Sequence, residues 1–561
     1  LALTFTNKAA EEMRSRIEGL LRRTVGSGKN SKGASTTEQK ESVGETIGVR
    51  VLTFHSFGLE ILKEMHQWFG RTEEFFLISG EDRRRILQKL GGQDLAYETF
   101  LEELNAFDLD DLIALPVRLF ERSSDVLAEF RSRFSYILVD EYQDINEMQY
   151  RLLRLLAPEE SANLTVIGDP DQAIYGFRGA DVRFIQRFTE DYPAATVIHL
   201  TTSYRCPETV LKASQQVMEA GEDRVHRPLV SGIQDSMKIL ISEHPSDAAE
   251  AEFIARTIEE LTGGMGFFSI DSGVSDGRSD TYDPGEIAII CRISRQMECL
   301  EKALTDHRIP YTRVGETSFF QEEPIAALLD IARFLTLPDI ANPYLKELAA
   351  ERLNDLYEKK VIPSPVTLTM LKEYEGSHPS WQTLPAREAL HSLIGLLDVL
   401  PSSGTLPPRF SAAIEHLFSL AEGHSLKGFL HRALIGSPQD DLQYRTTNVT
   451  LSTIHGVKGL EFDCVFIAGC EEGLIPYTLF DGLKTDTGQR TNIEEERRLF
   501  YVGMTRAKRS LYLTRAKRRF LFGREYSLEA SSFLRTIEEE LVARIDSQVP
   551  KKTKDPQLFL F

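Results

Sequence analysis

The chain has 561 residues, of which 42% are hydrophobic and 27% charged, an ordinary balance for a globular protein whose length requires three or four domains. No apolar run is long enough to cross a bilayer, so a cytoplasmic protein without a membrane partner is expected. Five cysteines (Cys206, Cys291, Cys299, Cys464, Cys470) show no C-x-x-C pairing, which argues against a zinc knuckle, an iron–sulfur cluster or a disulfide framework. The net charge of -20 argues against nucleic acid unless basic charge is concentrated somewhere. Residues 497–526 supply such a stripe, with ten Lys and Arg against the single acid Glu525.

The chain opens on Leu1 rather than Met, directly at a strand, Leu1-Ala-Leu-Thr-Phe5, and is read as lacking its start. A helix follows from Thr6 or Asn7 as N-cap. Residues 24–46, rich in Gly, Ser, Thr and Lys, read as a surface loop. Within it Gly26-Ser-Gly-Lys29 is not a phosphate loop: the first Gly is missing, Asn30 stands where Ser or Thr should be, and no strand precedes it. Residues 49–57 are predicted as a second strand, with helical segments to about residue 130, one of them starting at Phe107.

The apolar run Phe134-Ser-Tyr-Ile-Leu-Val139 then breaks into Asp140, Glu141 and Asp144. Carboxylates at the C-terminal end of a buried parallel strand suit phosphoryl chemistry, one holding Mg²⁺ and its neighbour activating water. They equally suit an acidic turn in which Asp144 or Asn146 caps the next helix. Strands are predicted at 164–167, running into Gly168-Asp-Pro-Asp-Gln172, and at 196–200, running into Tyr204-Arg205. Strands alternating with helices, with polar residues at their C-terminal ends, indicate a doubly wound parallel sheet. A Gly-, Ser- and Asp-rich stretch, 263–285, separates this from a second α/β series that includes strands at 286–292, 449–455, 464–467 and 510–514. Pro324 and the apolar positions behind it start a helical, Pro-punctuated region to about 445.

Val139-Asp-Glu-Tyr-Gln-Asp-Ile-Asn146 and Ile167-Gly-Asp-Pro-Asp-Gln-Ala-Ile-Tyr-Gly-Phe-Arg-Gly-Ala-Asp181 resemble motifs II and III of the UvrD/Rep/PcrA-like superfamily-one DNA helicases. The resemblance continues in order through Thr4-Phe-Thr-Asn-Lys-Ala-Ala10 (motif Ia), Thr53-Phe-His55 (Ib), Tyr204-Arg205 (IV), Thr453-Ile-His-Gly-Val-Lys-Gly-Leu-Glu-Phe462 (V) and Tyr501-Val-Gly-Met-Thr-Arg-Ala507 (VI). It implies an α/β fold: two RecA-like parallel-sheet P-loop NTPase domains with helical insertions. The expected divisions are 1–200 with a small helical insertion at about 60–106, 201–328, a helical insertion at 329–445, 446–535, and a tail from 536.

The same resemblance implies ATP and Mg²⁺ as cofactors, with single-stranded DNA and its junctions with duplex as partners. Asp140 is expected to hold Mg²⁺ and Glu141 to act as general base. Gln172 would sense the γ-phosphate, and Arg205 and Arg506 would be the two arginine fingers. Tyr204 would stack on adenine and Glu461 meet the ribose hydroxyls. Phe5, Tyr175 and Phe177 are the expected base-stacking residues, Phe177 standing where the family most often has Trp. Thr53 and His55 would contact the DNA backbone, and His455 and Lys458 would couple DNA to the ATP site.

The implied activity is an ATP-dependent 3′-to-5′ DNA translocase and helicase serving repair, replication or recombination. The family's Walker A loop, G-x-x-x-x-G-K-[ST], is expected before residue 1, and without it residues 1–561 should neither bind ATP tightly nor unwind DNA. The motor subunit of a RecB/AddA-type helicase–nuclease and a non-catalytic DNA- or clamp-binding module are the alternatives. The terminal Gln557-Leu-Phe-Leu-Phe561 resembles the peptide with which bacterial repair proteins dock on the sliding clamp, Gln557 as head and Leu558, Leu560 and Phe561 as apolar anchors.

Overall fold

The structure is a computed structural model that describes residues 1–26, 48–160, 163–221, 229–233, 237–263, 282–314, 319–322, 325–336, 343–359, 362, 365–377, 384–397, 408–436, 447–479 and 491–546. Most of the loop predicted at 24–46, most of the 263–285 stretch and the terminal peptide at 557–561 lie outside these residues. The chain forms two compact units: Leu1–Asp169 with Gly179–Pro193 and Thr317–Tyr444, and Pro170–Arg178 with Ala194–Glu316 and Arg445–Phe561.

The first unit begins β1 (Ala2–Thr4), α1 (Asn7–Gly26), β2 (Val51–Thr53), α2 (Phe54–Met65). The predicted strand at 49–57 is therefore half helix, because the Thr53 hydroxyl accepts the Ser56 amide and starts α2 in the middle of the apolar run. The predicted small helical insertion also differs. Two short strands, β3 (Phe76–Ile78) and β4 (Ala106–Asp108), pair in parallel around the helices Gly80–Lys89 and Asp94–Glu103. The helix expected at Phe107 starts later, as α3 (Asp111–Arg122). Gly58 of α2 lies so close to α3 that a Cβ there would stand 1.7 Å from the Leu112 carbonyl oxygen, so no other residue fits. After β5 (Ile137–Val139), α4 (Glu147–Leu156) and β6 (Leu164–Val166), the sheet order is β2-β1-β5-β6, every pair parallel. Its core is apolar: Leu3, Phe54, Phe57, Phe120, Val139 and Leu152 are all buried.

The described residues between 325 and 435 are mainly helical, around a separate core that includes Leu328, Ile331, Leu390, Leu393, Leu417 and Phe429. The boundary expected at 329 falls inside α5 (Ile325–Thr336), whose apolar face enters that core from its first residue. The last helix of the region is α6 (Leu426–Ile435).

In the second unit the strand predicted at 196–200 is absent: Ile198 and Leu200 are 79% and 82% exposed, and a ladder needs a partner strand as well as an apolar run. Pairing starts instead at β7 (Thr202–Ser203) with β8 (Val230–Ser231). The main sheet uses β9 (Ile239–His244), β10 (Ile287–Cys291), β11 (Tyr311–Val314), β12 (Val449–Thr453), β13 (Phe462–Ala468), β14 (Ala507–Ala516) and β17 (Val542–Asp546). Their order is β11-β12-β10-β13-β14-β9-β17, again all parallel. Every residue of β10 and β12 is buried, as a parallel strand covered on both faces must be. Because β17 is an edge strand, the domain runs past the expected end at 535. A hairpin of β15 (Arg518–Leu521) and β16 (Arg524–Ser527) follows β14, and α7 (Ile493–Met504) precedes it. Two parallel sheets of this kind are the α/β, RecA-like architecture that the motifs imply.

Candidate nucleotide and nucleic-acid sites

In the first unit Asp140 and Glu141 stand at the C-terminal end of β5, where the Asp140 amide still donates to the Leu3 carbonyl at 2.9 Å. Burial, then the neighbouring Glu141 charge, raises the Asp140 carboxyl above its ordinary value. Asp140 forms no ion pair among the described residues, so this carboxylate pair suits a cation such as Mg²⁺. Glu141 takes a left-handed backbone, φ 53°, which turns the chain sharply out of the strand. Gln143, which the sequence reading passed over, is 1% exposed. Its amide donates to Glu141, and its Oε1 accepts the Asp169 amide at 3.0 Å, tying motif II to the end of β6. The open question of the next helix is resolved by Asn146, which caps α4 in a reciprocal box with Gln149. Phe5 directly follows β1 and is half-buried. The Thr53 side chain is committed to its cap and is 3% exposed, while His55 lies in the first turn of α2, its imidazole pushed below the usual range by burial.

The second unit gathers most of the other expected residues. Lys458 donates from Nζ to the Gln172 carbonyl at 2.6 Å and lies 4.9 Å from the Tyr175 ring centre. The Tyr175 hydroxyl donates to the His455 carbonyl at 3.4 Å, and the His455 ring stands edge-on to Phe177 at 5.1 Å. Tyr175 is 2% exposed, so it is not a free stacking face; it anchors the segment from below while Phe177, 64% exposed, presents its ring. A cavity of about 360 Å³ opens beside Phe177, lined also by Arg178, Arg292, His455 and Glu495. Burial, then Arg292, Arg178 and Lys458, holds His455 down at about 3, so its imidazole is neutral. Arg178 and Arg292 were missed by sequence reasoning; Phe177-Arg178, an aromatic beside a cation, was the available signal.

Arg205 donates from Nε to Glu461 at 2.8 Å, beside the 81% exposed Tyr204. Arg506 differs from the expected free finger. It is 1% exposed, and its guanidinium donates to the carbonyls of Val502 (2.9 Å) and Leu460 (3.0 Å), because the side chain folds back on the end of α7. The basic stripe at 497–526 is also less exposed than its composition suggests. Arg497, Arg506 and Arg519 are buried, Lys508 and Arg509 pair with Asp463, and Arg515 and Lys517 pair with Glu243. Its outward part is the β15–β16 hairpin, where Phe520 and Phe522, 60% and 53% exposed, alternate with Arg518 and Arg524.

The family model "UvrD/REP helicase N-terminal domain" matches residues 1–95 and 93–193, and "UvrD-like helicase C-terminal domain" matches 198–346 and 409–518. The chain belongs to the UvrD-like helicase family. Among its relatives, the ATP-dependent DNA helicase PcrA of Staphylococcus epidermidis is 30% identical, over 98% of this chain and 81% of that protein. The PcrA of Bacillus subtilis is 28% identical over 98% and 80%, and a probable DNA helicase II homolog of Rickettsia conorii 28% over 98% and 90%. Both matched UvrD-like regions leave 347–408 aside, the middle of the helical insertion.

Proposed function

We propose that this UvrD-like chain is the motor of an ATP-dependent DNA helicase that moves 3′-to-5′ along a single strand and serves DNA repair or replication. What carries this reading is the chain of contacts Gln172, Lys458, Tyr175, His455, Phe177: the backbone of the proposed phosphate sensor is joined, inside one compact unit, to an exposed aromatic beside a base-sized cavity. Flat aromatic faces with cations around them are what a sequence-tolerant single-strand site needs. Phe520 and Phe522 on the basic hairpin offer a second such surface.

In the proposed reaction Asp140 holds Mg²⁺, which when bound neutralises charge on the phosphate oxygens. Glu141, fixed by Gln143, takes the proton of the attacking water. Gln172 orients that water or the γ-phosphate, and Arg205 and Arg506 stabilise charge on the phosphoryl oxygens; Arg506 must first leave its carbonyl partners. Tyr204 stacks on the adenine and Glu461 binds the ribose. Thr53 and His55 lie along the DNA backbone track, and Phe5 faces a base. No G-x-x-x-x-G-K-[ST] Walker A loop occurs within residues 1–561.

Residues 1–561 are expected to bind oligo(dT) but not to hydrolyse ATP. DNA-stimulated hydrolysis by this chain would overturn the Walker A part, and failure to bind oligo(dT) would overturn the motor reading itself. Gln557, Leu558, Leu560 and Phe561 are proposed to dock on a sliding clamp, and deletion of 557–561 should abolish clamp binding.

A further inference from the structure

The cavity beside Phe177 is walled on one side by the first turn of α7, and that turn is acidic. Glu494, Glu495 and Glu496 follow the cap residue Asn492, whose side chain accepts the Glu494 and Glu495 amides at 3.0 and 3.3 Å. Acids in a first turn complement the helix dipole, and on an ordinary surface that alone would account for them. Here Glu495 and Glu496 line a cavity proposed to take a polyanion, where an uncompensated carboxylate repels the ligand. What they hold explains their presence.

Glu496 is 6% exposed and fully engaged: Arg292, directly after β10, donates to it from Nε at 2.9 Å and Nη2 at 2.6 Å, and the Tyr477 amide donates at 2.9 Å. Glu495 reaches the other way. Its carboxylate accepts the Gly176 amide at 3.0 Å, one residue before Phe177. A Cβ at position 176 would stand 2.9 and 3.0 Å from the two Glu495 oxygens, so glycine is what lets the carboxylate lie against this backbone. Burial raises the Glu495 carboxyl above its ordinary value, and the Gly176 amide opposes that. The Phe177 ring is 64% exposed, with the His455 edge at 5.1 Å, so its direction depends chiefly on the backbone that carries it.

We propose that Glu495 is a positioning residue of the strand site: by holding the Gly176 amide it fixes the backbone that aims the Phe177 ring at the cavity, without itself touching the strand. This rests on the motor reading above, in which Phe177 offers its face to a base. It gives a binding role to an acidic residue that composition counts against nucleic acid.

The test is a double-mutant cycle on the oligo(dT) affinity of the full chain. Anisotropy is read for wild type, Glu495→Gln, Glu495→Ala, Phe177→Ala and the combination of Glu495→Ala with Phe177→Ala, with circular dichroism and urea unfolding as folding controls. Glu495→Ala should bind several-fold more weakly, although it removes a negative charge beside the ligand. Glu495→Gln keeps an oxygen that can accept the Gly176 amide and should bind at least as tightly as wild type. In the Phe177→Ala background, Glu495→Ala should change affinity by less than about twofold, because the ring it positions is gone. A folded Glu495→Ala chain that binds as tightly as wild type, or more tightly as charge repulsion alone predicts, would overturn the proposal and leave the motor reading intact. Equal losses in the two backgrounds would also overturn it, since Glu495 would then act without Phe177, and so would Glu495→Gln binding as weakly as Glu495→Ala. Absence of binding by the wild type would remove the motor reading first, and Phe177→Ala with wild-type affinity would remove the role of the ring and this proposal with it.

Discussion

Lys458 reaches across from the turn after β12 to place its ammonium 2.6 Å from the carbonyl oxygen of Gln172, with the Tyr175 ring against its side. A charge-assisted bond of this kind, with a donor only 6% exposed, is worth about 1.5–3 kcal/mol. It fixes the segment 170–178 onto the second unit, helped by Ile174 in the core and by Glu495 accepting the Gly176 amide at 3.0 Å. Lys458→Ala should therefore loosen this segment locally. Hydrogen exchange is expected to rise at 172–176 with β10 and β13 still protected. Unchanged exchange there would show that Lys458 does not hold the segment.

Phe177 and Tyr175 are both aromatic and two residues apart, yet they should respond oppositely. Phe177→Ala removes an exposed face and is expected to weaken oligo(dT) binding by about 1–3 kcal/mol with little change in stability. Phe177→Trp should bind at least as tightly as wild type. Tyr175→Phe, which deletes a 3.4 Å hydroxyl contact from a buried ring, should leave affinity within about twofold, since that bond is long. Equal losses in Phe177→Ala and Tyr175→Phe would contradict this division.

The motif strands were legible because apolar runs ending in polar residues are what a parallel sheet requires, and 449–455, 464–467 and 510–514 all fall on sheet strands at least in part. Composition could not show which charges meet. The stripe at 497–526 looked free because Asp463, Glu243 and Glu250, which neutralise it, arrive from strands and helices distant in sequence. Residue type could not separate Tyr175 from Phe177 either, since burial of the first depends on His455 and Lys458, some 280 positions away. At 49–57 a local rule outweighed the apolar run: a Thr able to cap ends the strand and starts α2.

Arg519 should be indispensable for folding rather than for binding. It is 3% exposed and lies between two buried carboxylates, Glu250 and Glu471, donating to Glu471 at 2.7 and 2.8 Å. Thr514 and the Gly469 amide complete the shell of Glu250 at 2.6 and 3.0 Å. Arg519→Ala leaves buried charge without its partner and is expected to destabilise the second unit by about 3–5 kcal/mol. Combining Arg519→Met with Glu250→Gln and Glu471→Gln should return part of that loss. Denaturant unfolding monitored in the second unit reads both, and an Arg519→Ala chain as stable as wild type would contradict the assignment.

Acid should destabilise the fold through two buried histidines. Burial is the first cause at both His431 and His455, followed by nearby Lys and Arg, and each is held at about 3 in the folded chain. In the unfolded chain each imidazole takes up a proton near 6.5. Between those values the unfolded state binds more protons, so stability is fully present above about pH 6.5 and falls as pH falls, by up to about 1.4 kcal/mol per pH unit for each histidine. Replacing His431 with Gln, which cannot be protonated in this range, should flatten that decline by one proton's worth between pH 6 and 4, whatever it does to stability at neutral pH. The slope of unfolding free energy against pH in urea measures this directly, and a slope identical in His431→Gln and wild type would show that His431 is not the buried neutral group the structure describes.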